Sequence, residues 1–266
     1  MSISQTARII VSTTKITFIS RFTVTPPIFW LIQILATTFF TMFFFSVLAD
    51  YVDNPEATVT YVVIGNAVQS IAATTLYSVA EIPSVEKHVG TLGALMQSPS
   101  SMFTVFIGMS VFSIFSGMVS VTLSLSYAAF IFGVSFASCN FAAVILIMVL
   151  TCLSLTGMGM VIGGIGLHLR TSAIIANVVA YIGLLISGVN FPVSYLPEWV
   201  QAISYCMPLT YAVEATRDAV NGASIVDLAE PLGMMILLGA IFFVISLYTF
   251  KFFEKKSRTA GRLDSF

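Results

Sequence analysis

The chain has 266 residues, of which 58% are hydrophobic and 9% charged, against about 25% charged in a soluble domain. Its mean hydropathy is +0.99. This excludes a water-soluble globular fold, because too little polar surface would remain to cover the apolar residues. It predicts an all-α integral membrane protein instead.

The formal net charge of −1 is uninformative until the charges are placed along the chain. Residues 1–25 carry Arg8, Lys15 and Arg21 within an apolar run, which breaks a signal-peptide pattern. Arg8 and Lys15 share one helical face, while Ile9, Ile16 and Phe22 approach a second line, with Ile19 beside it. The reading is an amphipathic helix lying in the membrane interface, ended by Pro26-Pro27. From residue 26 to residue 266 the charges divide the chain into six apolar stretches, each long enough to cross a bilayer. The first two run from about Pro26 to Ala49 and from about Ala57 to Ala80. The third begins near Ser101 and the fourth ends near Leu167, with the polar patch Ser135–Asn140 as the turn between them. The fifth runs from about Ser172 to Val189, and the sixth from about Pro231 to Phe250.

Basic residues mark the cytoplasmic side. Arg8, Lys15, Arg21, Lys87, Arg170, Lys251, Lys255, Lys256, Arg258 and Arg262 all fall on one side of a six-span topology, and Arg217 is the exception. Both termini are therefore expected in the cytoplasm, with residues 251–266 forming a basic tail. Asp50, Asp53, Glu56, Glu198, Glu214, Asp218, Asp227 and Glu230 fall outside.

Two connecting segments carry more than a turn. In residues 82–98, Val85, Val89, Leu92 and Met96 recur at helical spacing, so a short amphipathic helix is expected. Ser84 is positioned to cap its start, and Ser98-Pro99 to end it. It is either a docking helix for a cytoplasmic partner or an ordinary loop helix resting on the membrane. On the other side, residues 190–222 hold Pro192 and Pro197 as helix breakers. Tyr195, Trp199, Tyr205 and Tyr211 are suited to the membrane boundary. Pro208 at a first turn and Asn221-Gly222 at an end predict a helix over 208–220. The expectation is a re-entrant helical hairpin before the last span. On it Glu214, Arg217 and Asp218 form local ion pairs, which as surface pairs are worth little.

Strong polar groups inside the spans are few: Gln33, Asn66, Gln69 and Asn177. They either hydrogen-bond between helices or line a polar path. Gly159-x-x-x-Gly163 in the fourth span reads as a close helix contact. Phe39, Phe40, Phe43, Phe44 and Phe45 crowd the outer half of the first. Cys139, Cys152 and Cys206 have neither disulfide nor metal-site spacing. No GxxxxGK[ST], HExxH or GxSxG occurs, so no nucleotide site of the Walker type, metal site or catalytic residue is expected in this chain. No ionisable group lies near a span centre, which argues against proton- or sodium-coupled carriage.

Two stretches resemble a known family. Residues 86–101, EKHVGTLGALMQSPSS, carry a Gly-Thr-Leu leading to a Ser-Pro. Residues 187–220, SGVNFPVSYLPEWVQAISYCMPLTYAVEATRDAV, carry a Phe-Pro, a Leu-Pro, a Pro-Leu-Thr and a downstream Arg. With the order of parts, they resemble the type-2 ABC transporter permeases over essentially the whole chain. Gly93 departs from the acid that many relatives carry, and Lys87-His88 from a more usual arginine. The resemblance implies a permease subunit paired with a second copy as homodimer or heterodimer. Two separate ATPase subunits would bind ATP and Mg, the bilayer would be the only other partner, and no nucleic acid is expected. It places ATPase coupling on Glu81, Val85, Glu86, Val89, Thr91, Leu92 and Met96. It places the translocation path on Gln33, Asn66, Gln69 and Asn177. It places an outer gate on Phe191, Pro192, Pro197, Pro208, Glu214 and Arg217. The implied function is ATP-driven export of an amphipathic, lipid-like molecule or drug across the cell membrane. A lipid-linked glycan exporter is the alternative within the family, and a channel or scaffold without an ATPase is the alternative outside it.

Overall fold

The structure is a computed structural model that describes residues 3–52, 54–98, 100–167 and 172–259, with side chains from Ser4 to Phe253. Asp53, Pro99, His168, Arg170 and Arg262, and the side chains of Lys255, Lys256 and Arg258, lie outside that description. Every regular element among the described residues is helical. Five helices are long and apolar enough to cross a membrane: Pro27–Val52, the continuous Val59–Val89, Met102–Phe130, Phe141–Gly166 and Ala229–Phe253. The predicted fifth span is a shorter apolar helix, Ser172–Ile186, whose rise of about 22 Å is less than a hydrocarbon core of about 30 Å. It stops before Val189 because Gly188 turns the backbone to φ +72°.

In chain order the helices are α1 (Ile3–Val24), α2 (Pro27–Val52), α3 (Val59–Ile71), α4 (Tyr77–Val89), α5 (Leu92–Gln97) and α6 (Met102–Phe130). They continue with α7 (Phe141–Gly166), α8 (Ser172–Ile186), α9 (Glu198–Ser204), α10 (Pro208–Val220) and α11 (Ala229–Thr259). A π-helical turn, Ala72–Leu76, joins α3 to α4 without a break.

Helix α1, read as an interfacial helix, makes specific contacts with the bundle. It packs along the first half of α6, where Gly108 has no Cβ to collide with Thr13; one there would lie 1.8 Å from Thr13 Oγ1. Thr14 Oγ1 donates to the Gly108 carbonyl at 2.9 Å. Phe18 and Phe22 meet Phe112 edge-on at 5.0 and 5.6 Å between ring centroids, and Phe22 also meets Trp30 of α2. The anticipated apolar line is therefore split. Ile9 and Phe22 pack inward, while Ile16 and Ile19 are exposed with Arg8 and Lys15.

The second span also differs. It was expected to end near Ala80, with a separate helix over 82–98. Instead the helix runs through Glu81 and Pro83 to Val89. Pro83 leaves one carbonyl without its helical donor, yet the helix continues because α7 packs against it there. Gly159 and Gly163 make that approach possible: a Cβ at Gly159 would sit 3.0 Å from the Leu76 carbonyl, and one at Gly163 3.4 Å from that of Val79. The opposite face of the same glycine run, through Gly157 and Gly164, meets Phe242, Phe243 and Phe250 of α11. Ser84, read as a cap, is mid-helix and hydrogen-bonds Ser172 of α8 at 2.7 Å.

Helices α3, α6 and α7 form the buried centre. Only 22% of the most apolar stretch of α2, and of α11, is buried, so these two lie at the edges. The polar patch Ser135–Asn140 forms the connection between α6 and α7, as expected. Asn140 caps α7 by accepting from Ala143 N.

Candidate functional site

Between α1, α2, α6 and the continuous α3–α4 helix lies a cavity of about 340 Å³. Its wall on α3–α4 is a stripe at helical spacing: Asn66, Gln69–Ser70, Ala73–Thr74, Tyr77–Ser78 and Glu81. The facing wall on α2 repeats the spacing with Trp30, Gln33–Ile34, Thr37–Thr38 and Thr41. The π turn lies within the first stripe. The wider turn keeps Ala73 and Thr74 on the same face as Gln69 and Tyr77, a local distortion that recurs at functional sites. Arg21 of α1 shares the Glu81 end, and Phe22, Phe112 and Ser116 close the side.

The wall is rich in acceptors. Thr38 Oγ1 donates to Ile34 O at 2.7 Å, Thr74 Oγ1 to Ser70 O at 2.7 Å and Ser70 Oγ to Ala67 O at 2.7 Å; Thr37 Oγ1 likewise donates to Gln33 O. These protons are spent on the helices' own carbonyls, and the hydroxyl lone pairs remain. Asn66 spends its amide nitrogen on Val62 O at 2.9 Å and Asn190 Oδ1 at 2.8 Å. Gln69 spends its own on Ala180 O at 3.2 Å. Among the described residues, Asn66 Oδ1, Gln69 Oε1 and Ser116 Oγ are buried without a hydrogen-bond partner.

Above the Asn66 end stands a second polar assembly. Arg217 of α10 donates through Nη2 to Tyr61 O at 3.0 Å and Val189 O at 2.9 Å, and through Nε to Tyr61 O at 3.3 Å. Its guanidinium lies 3.3 Å from the centroid of the Tyr61 ring, and Tyr61 OH donates to Gly188 O at 3.1 Å. Arg217 was expected to pair locally with Glu214 and Asp218. The structure corrects this: its donors go to carbonyls of α3 and of the turn after α8, and both carboxylate residues are exposed. A planar fork suits two diverging carbonyls. Gly65 makes the room, since a Cβ there would fall 2.1 Å from Val189 O and 2.6 Å from Arg217 Nη2. The Asn66–Asn190 bond connects this latch directly to the cavity wall.

The 208–220 helix is as expected, with Pro208 at its first turn and Asn221 and Gly222 after it. Pro208 is buried, Pro197 is exposed, and Phe191 and Pro192 are half-buried in the turn below α9. Tyr195 OH donates to Glu56 Oε2 at 2.7 Å, tying this segment to the α2–α3 connection. That bond raises the Tyr195 phenol above its ordinary pKa.

A model of the family described as ABC-2 type transporter matches residues 11–221. The chain belongs to the ABC-2 type transporter family. Among curated proteins it is similar to the "Probable multidrug ABC transporter permease YbhR" of Escherichia coli strain K12 and to its counterpart of the same name from Escherichia coli O157:H7. Each is 27% identical over 132 residues, covering 50% of this chain and 36% of the relative. The match thus spans about a third of those relatives' length.

In this ABC-2 permease, three of the four anticipated path residues, Gln33, Asn66 and Gln69, line one cavity. Asn177 does not; it is exposed on α8. The residues assigned to ATPase coupling divide in two. Glu81 lines the cavity. Leu92 and Met96 are buried in a cluster with Ile82, Met102, Phe106 and Phe250. Val85 and Glu86 are half-buried, while Val89 and Thr91 are exposed. The corner between α4 and α5 is closed by Gly90 at φ +80° and by Thr91 N donating to Glu86 O at 3.0 Å, with Thr91 Oγ1 reaching the Glu86 carboxylate. The sequence reading missed Thr37, Thr38, Thr41, Ser70, Thr74 and Ser78. Their signal was present: they extend Gln33 and Asn66–Gln69 at three- and four-residue steps.

Proposed function

We propose that this permease is the transmembrane subunit of an ATP-driven exporter of an amphipathic, drug-sized molecule, and that the cavity between α2 and α3–α4 is its path. The observation that carries the reading is the pair of facing polar stripes. Polar side chains at membrane depth are costly unless they pair or line a cavity, and here Gln33, Asn66, Gln69 and the serines and threonines spaced from them converge on one cavity. Its volume is at the lower end of drug-sized sites, which suits a small amphipath better than a glycan chain. The multidrug name carried by the relatives supports the same substrate class.

In this reading the chain crosses the cell membrane six times, with Ser172–Ile186 and the turn after it as the fifth crossing. Both ends are cytoplasmic, and α9–α10 form the re-entrant hairpin. Two copies pair, as a homodimer or with a related chain, through the exposed face of α2. Two separate ATPase subunits bind ATP and Mg and dock at the α4–α5 corner, where Val89 and Thr91 are exposed. Because Leu92 and Met96 are seated in the core, force on that corner moves α4, α6 and α11 together. The cavity wall on α3–α4 follows, since it is the same helix. Release on the far side requires Arg217 to leave Tyr61 and Val189, a switch between two discrete arrangements.

The test is ATP-driven dye uptake into inside-out vesicles holding the chain and its co-expressed ATPase. Gln69→Leu is expected to lower uptake roughly tenfold, the effect of losing one buried polar contact of about 1.4 kcal/mol. Asn177→Leu should leave uptake unchanged. Equal activity of the Gln69→Leu variant and the parent protein, or failure of any ATP-hydrolysing protein to co-purify, would sink the reading.

A further inference from the structure

We infer that the cavity selects substrates by hydrogen-bond donors on their polar head, and that Asn66 and Gln69 are the residues that read them. This rests on the cavity being the substrate path.

The asymmetry at the Asn66–Gln69 end of the wall carries the argument. The amide nitrogens of Asn66 and Gln69 are held by the carbonyls of Val62 and Ala180, and this fixes which end of each amide is the oxygen. Those oxygens have no donor among the described residues, although the side chains are only 5% and 6% exposed. The hydroxyls of Ser70 and Thr74 add lone pairs and no free proton, because both donate to their own helix. A buried acceptor without a donor is unfavourable, and a group that supplies one recovers that loss. If water enters the cavity, the consequence is the same. A ligand N–H or O–H that replaces such a water keeps its bond, whereas a methyl in that place loses it.

The rest of the cavity sets the other half of the ligand. Trp30, Phe22 and Phe112 form one aromatic cluster, with Phe22–Trp30 at 5.7 Å and Phe22–Phe112 at 5.6 Å between centroids. All three line the cavity. A flat apolar body lies against these rings, and its donor head points to Asn66 and Gln69. The ligand class is thus an aromatic amphipath bearing a primary amine or a hydroxyl. Quaternary or fully alkylated heads are disfavoured.

Two matched pairs of probes separate donors from charge. The first is a naphthylalkyl primary ammonium and its N,N,N-trimethyl counterpart, which share charge and ring. The second is the corresponding neutral alcohol and its methyl ether. Binding to the full chain in lipid nanodiscs is measured by quenching of tryptophan fluorescence. In the parent protein the donor-bearing member of each pair should bind about tenfold tighter, the worth of one hydrogen bond to a buried acceptor. Gln69→Leu and Asn66→Leu should each shrink that ratio towards one while leaving the trimethyl probe's affinity nearly unchanged. The retained trimethyl binding shows that the variants are folded. Equal affinities within both pairs in the parent protein, or a ratio that survives in both variants, would overturn the donor inference and leave the cavity a ligand site. Absence of binding by all four probes would overturn the path reading with it. A preference in the ammonium pair alone would overturn the claim that the hydroxyl suffices.

Discussion

The two ends of this permease are held by different physics. At the α10 end, Arg217 grips two backbone carbonyls and an aromatic ring on neighbouring elements. Those bonds are directional and few. At the α4–α5 corner, Leu92 and Met96 sink into a cluster with Met102, Phe106 and Phe250. That contact is non-directional and spread over many atoms.

The largest expected effect breaks the Arg217 end. Gly65→Ala forces a methyl against Val189 O and Arg217 Nη2 and should destabilise by about 3 kcal/mol. Thermal unfolding in detergent reads this as a lowered midpoint. Arg217→Met should cost about 2 kcal/mol, because buried carbonyls lose charged donors. Arg217→Lys should rescue little of it, since a single ammonium cannot reproduce the fork. Recovery of full stability by lysine would mean that charge alone holds the latch.

At the α4–α5 corner, Met96→Ala should cost about 2 kcal/mol through the cavity it leaves. Val89→Ala, at an exposed position, should leave the unfolding midpoint unchanged yet reduce dye transport per ATP hydrolysed. If both variants lower stability equally, the division of this corner into an inward and an outward face is wrong.

The smallest effect lies in the connection between α10 and α11. Asp227 accepts from Ser224 N at 2.9 Å and Ser224 Oγ at 2.7 Å, and these bonds hold its pKa below the ordinary 3.8. A depressed carboxylate contributes stability that is present above the unfolded value and lost as pH falls through the folded one. Ser224→Ala should therefore weaken the connection before α11 at neutral pH. The difference from the parent protein should disappear as pH falls through the lowered Asp227 pKa, as read by hydrogen exchange of that segment.

Much of the frame was legible because it follows from local rules. The 208–220 helix could be bounded from Pro208 and Asn221-Gly222, and the Gly159/Gly163 contact from spacing alone. The end of the second span was not legible. Glu81 and Pro83 look like a stop, but the helix continues where α7 packs closely against it through Gly159 and Gly163. The apolar face of Leu92 and Met96 was readable, while its direction was set by residues of α6 and α11. Arg217 misled for a related reason. The nearby Glu214 and Asp218 are visible partners in sequence, whereas its actual partners are main-chain oxygens that no residue type announces.

The cavity is the central claim, and cysteine accessibility tests it most directly. With Cys139, Cys152 and Cys206 replaced, single cysteines at Thr37, Ser78 and Phe44 would be exposed to a membrane-impermeant maleimide in inside-out vesicles. Thr37 and Ser78 line the cavity, whereas Phe44 is on the exposed face of α2. The account predicts fast labelling at Thr37→Cys and Ser78→Cys, slowed by an amphipathic amine, and no labelling at Phe44→Cys. Labelling at Phe44→Cys as fast as at the other two, or none at Thr37→Cys and Ser78→Cys, would contradict it.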